Sequence, residues 1–187
     1  MLLKSCAFAA AAVLLAATGA AAQPADPQAA ARTAQAVDRY LALREVAFST
    51  KPEDVEVQAK AGEEKAYGVI VEYQSDDALV TSVAFATGDA SYYRSTGGGK
   101  IGGRREPLVA DAARALVALA QVQLADLPPV KAYPTPEPGH VRVYVLTTAG
   151  LRGAEEDRAQ IADPKDRLAA LYAGGRKVIS QFQAAAQ

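Results

Sequence analysis

The residues best suited to hold a ligand are basic side chains that fall close together among glycines. Arg94, Lys100, Arg104 and Arg105 occupy a stretch of twelve residues that contains no acid. Five glycines lie between residues 95 and 106, and the stretch ends at Pro107, where a helix is expected to begin. Glycine lets backbone amides converge without Cβ clashes, and a helix N-terminus carries about half a positive charge. The pattern therefore favours an anion.

Several positions of this stretch are candidate ligand contacts. The candidate binding residues are Arg94, Ser95, Thr96, Gly97, Gly98, Gly99, Lys100, Arg104 and Arg105. Two alternatives stay open, because the glycines could serve only as a sharply folded connection, or the stretch could supply catalytic groups. Known phosphate motifs do not match: a P-loop needs Ser or Thr after its Lys, and here Ile101 follows Lys100.

Histidine and cysteine are too scarce for the usual transition-metal sites. His140 is the only His and Cys6 the only Cys, whereas zinc and iron sites want several N or S ligands. The acids at Asp76-Asp77 and at residues 155–157 lack the alternating spacing of a calcium loop. No G-x-S-x-G elbow is present, and His140 is expected at the exposed start of a strand. The sequence predicts no metal site, no cofactor and no catalytic residue.

The first 22 residues have the three parts of a bacterial secretory signal peptide. Lys4 precedes an apolar run from Cys6 to about Ala17, and residues 20–22 are alanines that suit signal peptidase. The run is short for a transmembrane helix, which needs roughly 20 apolar residues. Cleavage after Ala22 would remove the only Cys and leave no disulfide and no transmembrane segment in the mature chain. We expect a periplasmic or secreted protein.

The charge balance limits the class of partner. With 20 basic and 21 acidic side chains the formal net charge is −1, whereas nucleic-acid binders usually carry a clear basic excess. The expected partners are an anionic small molecule, an envelope polymer or a protein, and not a nucleic acid. Residues 23–187 are numerous enough to bury one hydrophobic core.

Alternating and β-branched residues predict the strands that must position the basic stretch. Strands are expected at residues 55–59, 66–73, 79–86, 90–95 and 141–148. The three central ones are joined by short connections, which indicates an antiparallel meander. The polar residues 152–160 are predicted to form a loop.

Three helices are expected. The first begins at an Asp26-Pro27 cap, runs to about Glu45 and has an apolar stripe of Ala30, Ala34, Val37 and Leu41. The second runs from Pro107 to about Leu127, with Leu108 and Leu116 on its apolar side. The third begins at Asp163-Pro164, and Gly174-Gly175 lets it approach the sheet closely or bend. Its apolar face is formed by Leu168, Leu171, Tyr172, Val178, Ile179 and Phe182.

This order of elements predicts a single α+β domain over residues 23–187. An antiparallel β-meander and a further strand are flanked by three helices, rather than arranged as a doubly wound parallel sheet. Residues 126–139 contain five prolines and are expected to form an extended surface loop.

The segment from Tyr93 to Gly103, YRSTGGGKIGG, resembles the Y-x-S-T-G-G-G-x-I-G-G loop of uncharacterised bacterial exported proteins. The strand and helix near the C-terminus (VYVLTTAGLRGAEEDRAQI and LAALYAGGRKVISQF) also resemble the ends of such proteins. That group has no known activity. The resemblance therefore implies a shared fold and assigns no catalytic residue.

Two functions follow as hypotheses. The favoured one is an exported, non-enzymatic protein that contacts an anionic ligand, an envelope component or a protein through residues 94–106. The alternative is a small exported hydrolase that uses Ser95, Thr96, Lys100 and His140. The first is favoured because the residues of a catalytic constellation are missing from the sequence.

Overall fold

The chain forms one six-stranded antiparallel sheet with helices on both faces. The computed structural model describes residues 27–75 and 77–186. The strands are β1 (Ala66–Gln74), β2 (Leu79–Phe85), β3 (Ala90–Arg94), β4 (Gly99–Ile101), β5 (His140–Thr147) and β6 (Gly150–Asp157). The helices are α1 (Pro27–Ser49), α2 (Pro107–Val122), α3 (Arg158–Ile161) and α4 (Ala169–Ala184). The predicted α+β class is confirmed. The expected signal peptide at residues 1–22 and the capping residue Asp26 lie outside the described residues.

The sheet order is β4-β3-β2-β1-β5-β6, with β1 near the centre and β4 and β6 at the edges. Side chains alternate between the faces, so Val69 and Val71 of β1 pack under α2 and α4. Ile70 faces the opposite way, into a second core with Tyr40 of α1 and Tyr144 of β5. Among residues 27–75 and 77–186, no helix combines the length and apolarity that crossing a membrane requires.

The C-terminal helix has the apolar face that the sequence predicts. All six of its predicted core residues are buried, and Leu168, Leu171 and Val178 are fully so. The predicted close approach to the sheet is confirmed at Gly175, whereas Gly174 lies against Leu116 of α2. A Cβ added to Gly175 would lie 2.8 Å from Cβ of Val71, and one on Gly174 would lie 2.7 Å from Cδ1 of Leu116.

This helix begins later in the chain than the sequence predicts. Residues 163–168 form turns, and α4 begins at Ala169 rather than at Asp163-Pro164. Asp163 Oδ1 accepts the amide of Lys165, and Asp166 Oδ1 accepts that of Leu168. These side chains stabilise tight turns in place of the first helical turns, as Asp often does.

The strand predicted at residues 55–59 is wrong. Residues 52–55 form a 3₁₀ turn that begins at Pro52, and Asp54 accepts the amide of Lys51. Glu56 follows with a φ of 57°, in the left-handed region, which breaks an extended chain. Val55 is nevertheless buried and Val57 packs against the same core, so the alternation reflects an irregular segment with one side toward the core and not a strand.

The loop predicted at residues 152–160 is also wrong. Residues 150–157 form β6, which pairs with β5 along its whole length. The proline-rich stretch lies along its other side: Val130 N donates to Leu151 O, and Gly153 N donates to Pro128 O. Pairing with β5 on one side and with the proline-rich stretch on the other makes a strand of residues whose composition favours solvent.

The predicted apolar stripe of α1 does not face the sheet. Ala30, Ala34, Val37 and Leu41 are exposed, and Leu41 keeps 50% of its surface in solvent. The side that packs on the sheet is lined by Tyr40, Leu43, Arg44 and Ala47. A buried arginine therefore lies where an apolar residue was expected.

Helix α2 is shorter than predicted and ends at Val122, after which Leu124–Asp126 forms a 3₁₀ turn. Leu108, expected on its apolar side, is 66% exposed, while Leu116 is buried as predicted. The inward face is made of smaller residues, including Ala113 and Ala120, which bring α2 close to the sheet.

Candidate ligand-binding site

The glycine-rich stretch folds as a tight β-hairpin between β3 and β4. Arg94 N donates to Gly98 O at 3.2 Å, and Gly97 N donates to Arg94 O at 3.0 Å. Gly97, Gly98 and Gly99 all have positive φ, which side chains other than glycine rarely adopt. The strand at Gly99–Ile101 was not predicted, because three exposed residues carry no alternating pattern.

Two of the glycines are required by close packing. A Cβ on Gly99 would lie 2.2 Å from Tyr92 O, the carbonyl of the neighbouring strand. A Cβ on Gly103 would lie 2.4 Å from Cγ1 of Val109 and 2.8 Å from Cζ of Phe182. Part of the glycine content therefore serves the fold whether or not a ligand binds.

The four basic side chains are not gathered at one point. Arg94 Nη2 donates to Asp77 Oδ1 at 2.7 Å, while Arg104 Nη1 lies 3.8 Å from Glu56 Oε1 and 3.7 Å from Asp89 Oδ2. Lys100 and Arg105 are exposed and have no ion-pair partner within the part of the chain that the structure describes. The stretch thus presents separate basic groups on different sides of the hairpin.

One cavity lies directly against the hairpin, on the side of the sheet that carries α4. We call it the hairpin cavity; its volume is about 370 Å³. It is lined by Tyr73, Ser75, Val80, Tyr92, Arg94, Gly97, Gly98, Gly99, Ile179 and Gln183. Of the candidate binding residues, Arg94 and the three consecutive glycines therefore meet here. Among the described residues, no carboxylate belongs to this lining.

The charge around the cavity is positive near Tyr73. Burial and the neighbouring Tyr172 raise the pKa of the Tyr73 hydroxyl, and the positive charges of Arg176, Arg158 and Arg94 act in the opposite direction. The hydroxyl is therefore a neutral hydrogen-bond donor within the field of three guanidinium groups. Such donors favour a negatively charged ligand over a neutral one.

Several groups around the cavity were not found from the sequence. Tyr73 and Ser75 lie at the end of β1, whereas Arg176 and Gln183 belong to α4. Tyr172 packs edge to face on Tyr73 with ring centroids 5.3 Å apart, and the guanidinium of Arg176 lies 5.7 Å from the Tyr172 ring centroid. The folded chain brings these groups together from positions about a hundred residues apart, which no local pattern could indicate.

The remaining candidate residues have other surroundings. Ser95 Oγ accepts the amide of Leu79 at 2.9 Å, and Thr96 is exposed at the turn. His140 begins β5, with Nδ1 3.2 Å from Pro138 O. Because β2 and β1 lie between β3 and β5, three strand spacings of about 4.8 Å separate the strands beside Ser95 and His140. The structure therefore does not bring Ser95 and His140 together.

The most deeply buried charges lie elsewhere, between α1 and β1. Arg44 Nε and Nη2 donate to the two carboxylate oxygens of Glu72 at 2.7 Å and 2.8 Å, and Glu72 is fully buried. Thr81 Oγ1 also donates to Glu72, at 2.9 Å. Arg44 further donates to the backbone carbonyls of Tyr133 and Pro134 in the proline-rich stretch. This cluster joins α1, the central strand and the proline-rich stretch.

The cluster around Arg44 and Glu72 was missed, although Glu72 is the one charged residue in the β-branched run of β1. The charged groups of this cluster hydrogen-bond to one another and to backbone carbonyls, so they stabilise the fold and are not free to contact a ligand. Among residues 27–75 and 77–186, no group of three His, Cys, Asp or Glu side chains could hold a metal ion.

Comparison with known proteins gives no relative: no family model, no curated protein and no solved structure matches the chain.

Proposed function

We propose that this chain is an exported, non-enzymatic protein that binds a small organic anion in the hairpin cavity. The ligand would present a carboxylate or phosphate to Arg94 and the Tyr73 hydroxyl. Its apolar or planar body would lie against Val80, Ile179 and the ring of Tyr92, which supply the apolar part of the lining.

The observation that carries this proposal is the composition of one half-open cavity. Arg94, Tyr73, Ser75 and Gln183 offer hydrogen-bond donors from three elements and a turn. No carboxylate belongs to the described lining, and the one beside it, Asp77, is bound to Arg94. The volume of about 370 Å³ falls within the usual range of small-molecule sites, about 300–1,000 Å³. Charge-assisted hydrogen bonds of Arg to carboxylate or phosphate are among the strongest polar contacts in proteins.

Export is supported by the sequence. The basic residue, apolar run and alanines of residues 1–22 fit a secretory signal peptide, and the rest of the chain contains no Cys. The resemblance of the glycine-rich segment to exported bacterial proteins points the same way. A hydrolase based on Ser95 and His140 gains no support, because catalytic partners must come within hydrogen-bond reach of each other or share a water.

Asp77 provides the sharpest test, since it competes with the ligand for Arg94. Asp77 Oδ1 accepts from Arg94 Nη2, and both side chains are partly exposed. Asp77→Asn should free the guanidinium and strengthen anion binding by about two- to fivefold, the scale of an exposed ion pair. Arg94→Gln should weaken binding by about tenfold or more, because a charge-assisted hydrogen bond is lost.

The assay is isothermal titration of the full chain with phenyl phosphate, inorganic phosphate and phenol. Phenyl phosphate should bind best, because only it combines the anion with a ring. Arg105→Gln is the matched control, since it removes one positive charge from the same stretch at a residue outside the cavity lining. Equal losses for Arg94→Gln and Arg105→Gln, or no measurable binding of any of the three compounds, would contradict the proposal.

A further inference from the structure

The outer edge of β4 is open for pairing with another strand. β4 is the last strand on its side of the sheet. Arg94 N donates to Gly98 O and Gly102 N donates to Ala90 O, so these positions direct their backbone groups toward β3. Because the direction alternates along an antiparallel strand, the N–H and C=O groups of Gly99 and Ile101 point outward.

An apolar groove runs beside this edge, between α1 and the β3–β4 hairpin. Two adjoining cavities of about 240 and 470 Å³ share Leu43, Tyr93 and Ile101 in their lining, and we call them together the edge groove. Ile101 is 67% exposed and Val46 is 65% exposed, which makes these groove residues two of the most exposed large apolar side chains among described residues. From Arg39 to its end at Ser49 the helix extends about 15 Å at 1.5 Å per residue, room for about four residues of extended chain.

Positive charge borders the end of the groove near the glycines. Arg39 of α1 lines the cavity of about 470 Å³, and Lys100 of β4 borders it from the strand edge, where its pairing with Tyr92 directs its side chain to the α4 face. Both side chains are exposed, and neither has an ion-pair or hydrogen-bond partner within residues 27–75 and 77–186. At the other end of the groove, Arg104 lies near Asp89. The groove therefore has one end with uncompensated positive charge.

We propose that an extended peptide segment of a partner protein, apolar at alternate residues and acidic at one end, adds to β4 as a seventh strand. Its backbone would pair with the outward groups of Gly99 and Ile101, and its alternate side chains would enter the edge groove. Consecutive acidic residues at its end would point to opposite faces of the sheet, one toward Arg39 and the next toward Lys100. Main-chain pairing supplies affinity in this mode, and the groove supplies selectivity.

A second copy of the chain is disfavoured as the occupant by charge. Two copies that pair antiparallel through β4 about a twofold axis would place Lys100 directly opposite the same residue of the other copy. Like charges directly opposite each other destabilise a strand pair. An acidic segment replaces this repulsion with attraction, which is why we assign the edge to a different protein.

The inference does not depend on the proposed anion cavity, which lies on the α4 side of the sheet and shares Tyr92, Gly98 and Gly99 with the lining of the edge groove. It can be tested by fluorescence anisotropy with the full chain and a fluorescein-labelled peptide of alternating valine and threonine that ends in glutamates. The same peptide ending in lysines should bind several-fold more weakly. Lys100→Gln and Arg39→Gln should each weaken binding of the acidic peptide by about two- to fivefold, and Arg32→Gln, an exposed change earlier on α1, should not. Arg94→Gln should also leave peptide binding unchanged.

Backbone pairing is tested by modifying the peptide, so that the protein itself is unchanged. Two peptides are compared, one N-methylated at the odd-numbered amides and the other at the even-numbered amides. In an extended segment only one of these two sets faces β4, so only one of the two peptides loses its backbone hydrogen bonds to the strand. One of the two methylated peptides should bind at least about tenfold more weakly than the other, because two backbone hydrogen bonds are lost. Equal affinity of both, equal affinity of the lysine-ended peptide, or a stable dimer in sedimentation velocity would overturn the proposal.

Discussion

Removing one partner of the Arg44–Glu72 pair should destabilise the chain more than removing both. Glu72 is fully buried, and the side chain of Arg44 is 9% exposed, so neither charge is well solvated after its partner is lost. In Arg44→Met the carboxylate keeps Thr81 as a donor at 2.9 Å but no cation. A buried charge left in this way costs about 3–5 kcal/mol.

The double variant Arg44→Met with Glu72→Met should cost less than either single change. It leaves no uncompensated charge and replaces the pair by apolar groups, an exchange that is often close to neutral. Here two backbone carbonyls, those of Tyr133 and Pro134, also lose a donor at about 1 kcal/mol each, so we expect a cost of about 2 kcal/mol. The two substitutions should therefore be strongly coupled.

Urea denaturation followed by far-UV circular dichroism and tyrosine fluorescence measures these costs, since the chain has 8 Tyr and no Trp. A wild-type stability above about 7 kcal/mol, within the usual range of about 5–15 kcal/mol, leaves each variant mostly folded before urea is added. The reasoning fails if Arg44→Met costs under about 1 kcal/mol. It also fails if the double variant costs as much as the two single variants together, because the pair would then be uncoupled.

Two further predictions follow from packing and from titration. Gly175→Ala should lower the free energy of unfolding by about 1–3 kcal/mol despite the better helix propensity of Ala, because the new Cβ would meet Cβ of Val71. Gly174→Ala should change it by under about 1 kcal/mol, because only the end of the flexible Leu116 side chain must move. Midpoints of urea denaturation compare the two variants. Burial raises the pKa of Tyr40 and Tyr93 above the ordinary value of 10.0 that these side chains have when unfolded. The stability that these two neutral tyrosines contribute is therefore complete below pH 10.0 and is lost as the pH rises further, by up to about 1.4 kcal/mol per pH unit for each residue. Tyr93→Phe should make the fall of the free energy of unfolding above pH 10.0 less steep. An unchanged slope would count against this assignment.

The parts of the fold that are marked by apolar content and helical spacing were predictable from the sequence. β2 and β5 are runs of apolar, β-branched and small residues that are buried along most of their length, and the core residues of the C-terminal helix recur at helical spacing. These patterns are local because each element carries its own buried residues. β6 lacks such a pattern: most of its residues are half-exposed, and pairing with β5 and with the proline-rich stretch is what makes it a strand.

The buried face of α1 could not be predicted for a different reason. Apolar spacing pointed to Val37 and Leu41, but the helix turns Tyr40 and Arg44 to the sheet. Arg44 is buried because Glu72, 28 positions along the chain, neutralises it there. A charged residue becomes a core residue only through its partner, and the partner is known only once the fold is known.

The glycines and the charges of the β3–β4 hairpin have different roles, which decides how the candidate site can be tested. Gly97, Gly98 and Gly99 have positive φ, and Gly99 also lies too close to Tyr92 O for any side chain. A substitution such as Gly98→Val would therefore strain the backbone whether or not a ligand binds, and a loss of binding would not locate the ligand. Arg94 and Asp77 carry no such backbone constraint. Since an anion is attracted by Arg94 and repelled by Asp77, the two substitutions must change affinity in opposite directions if the cavity binds an anion, a result that general destabilisation of the hairpin could not produce.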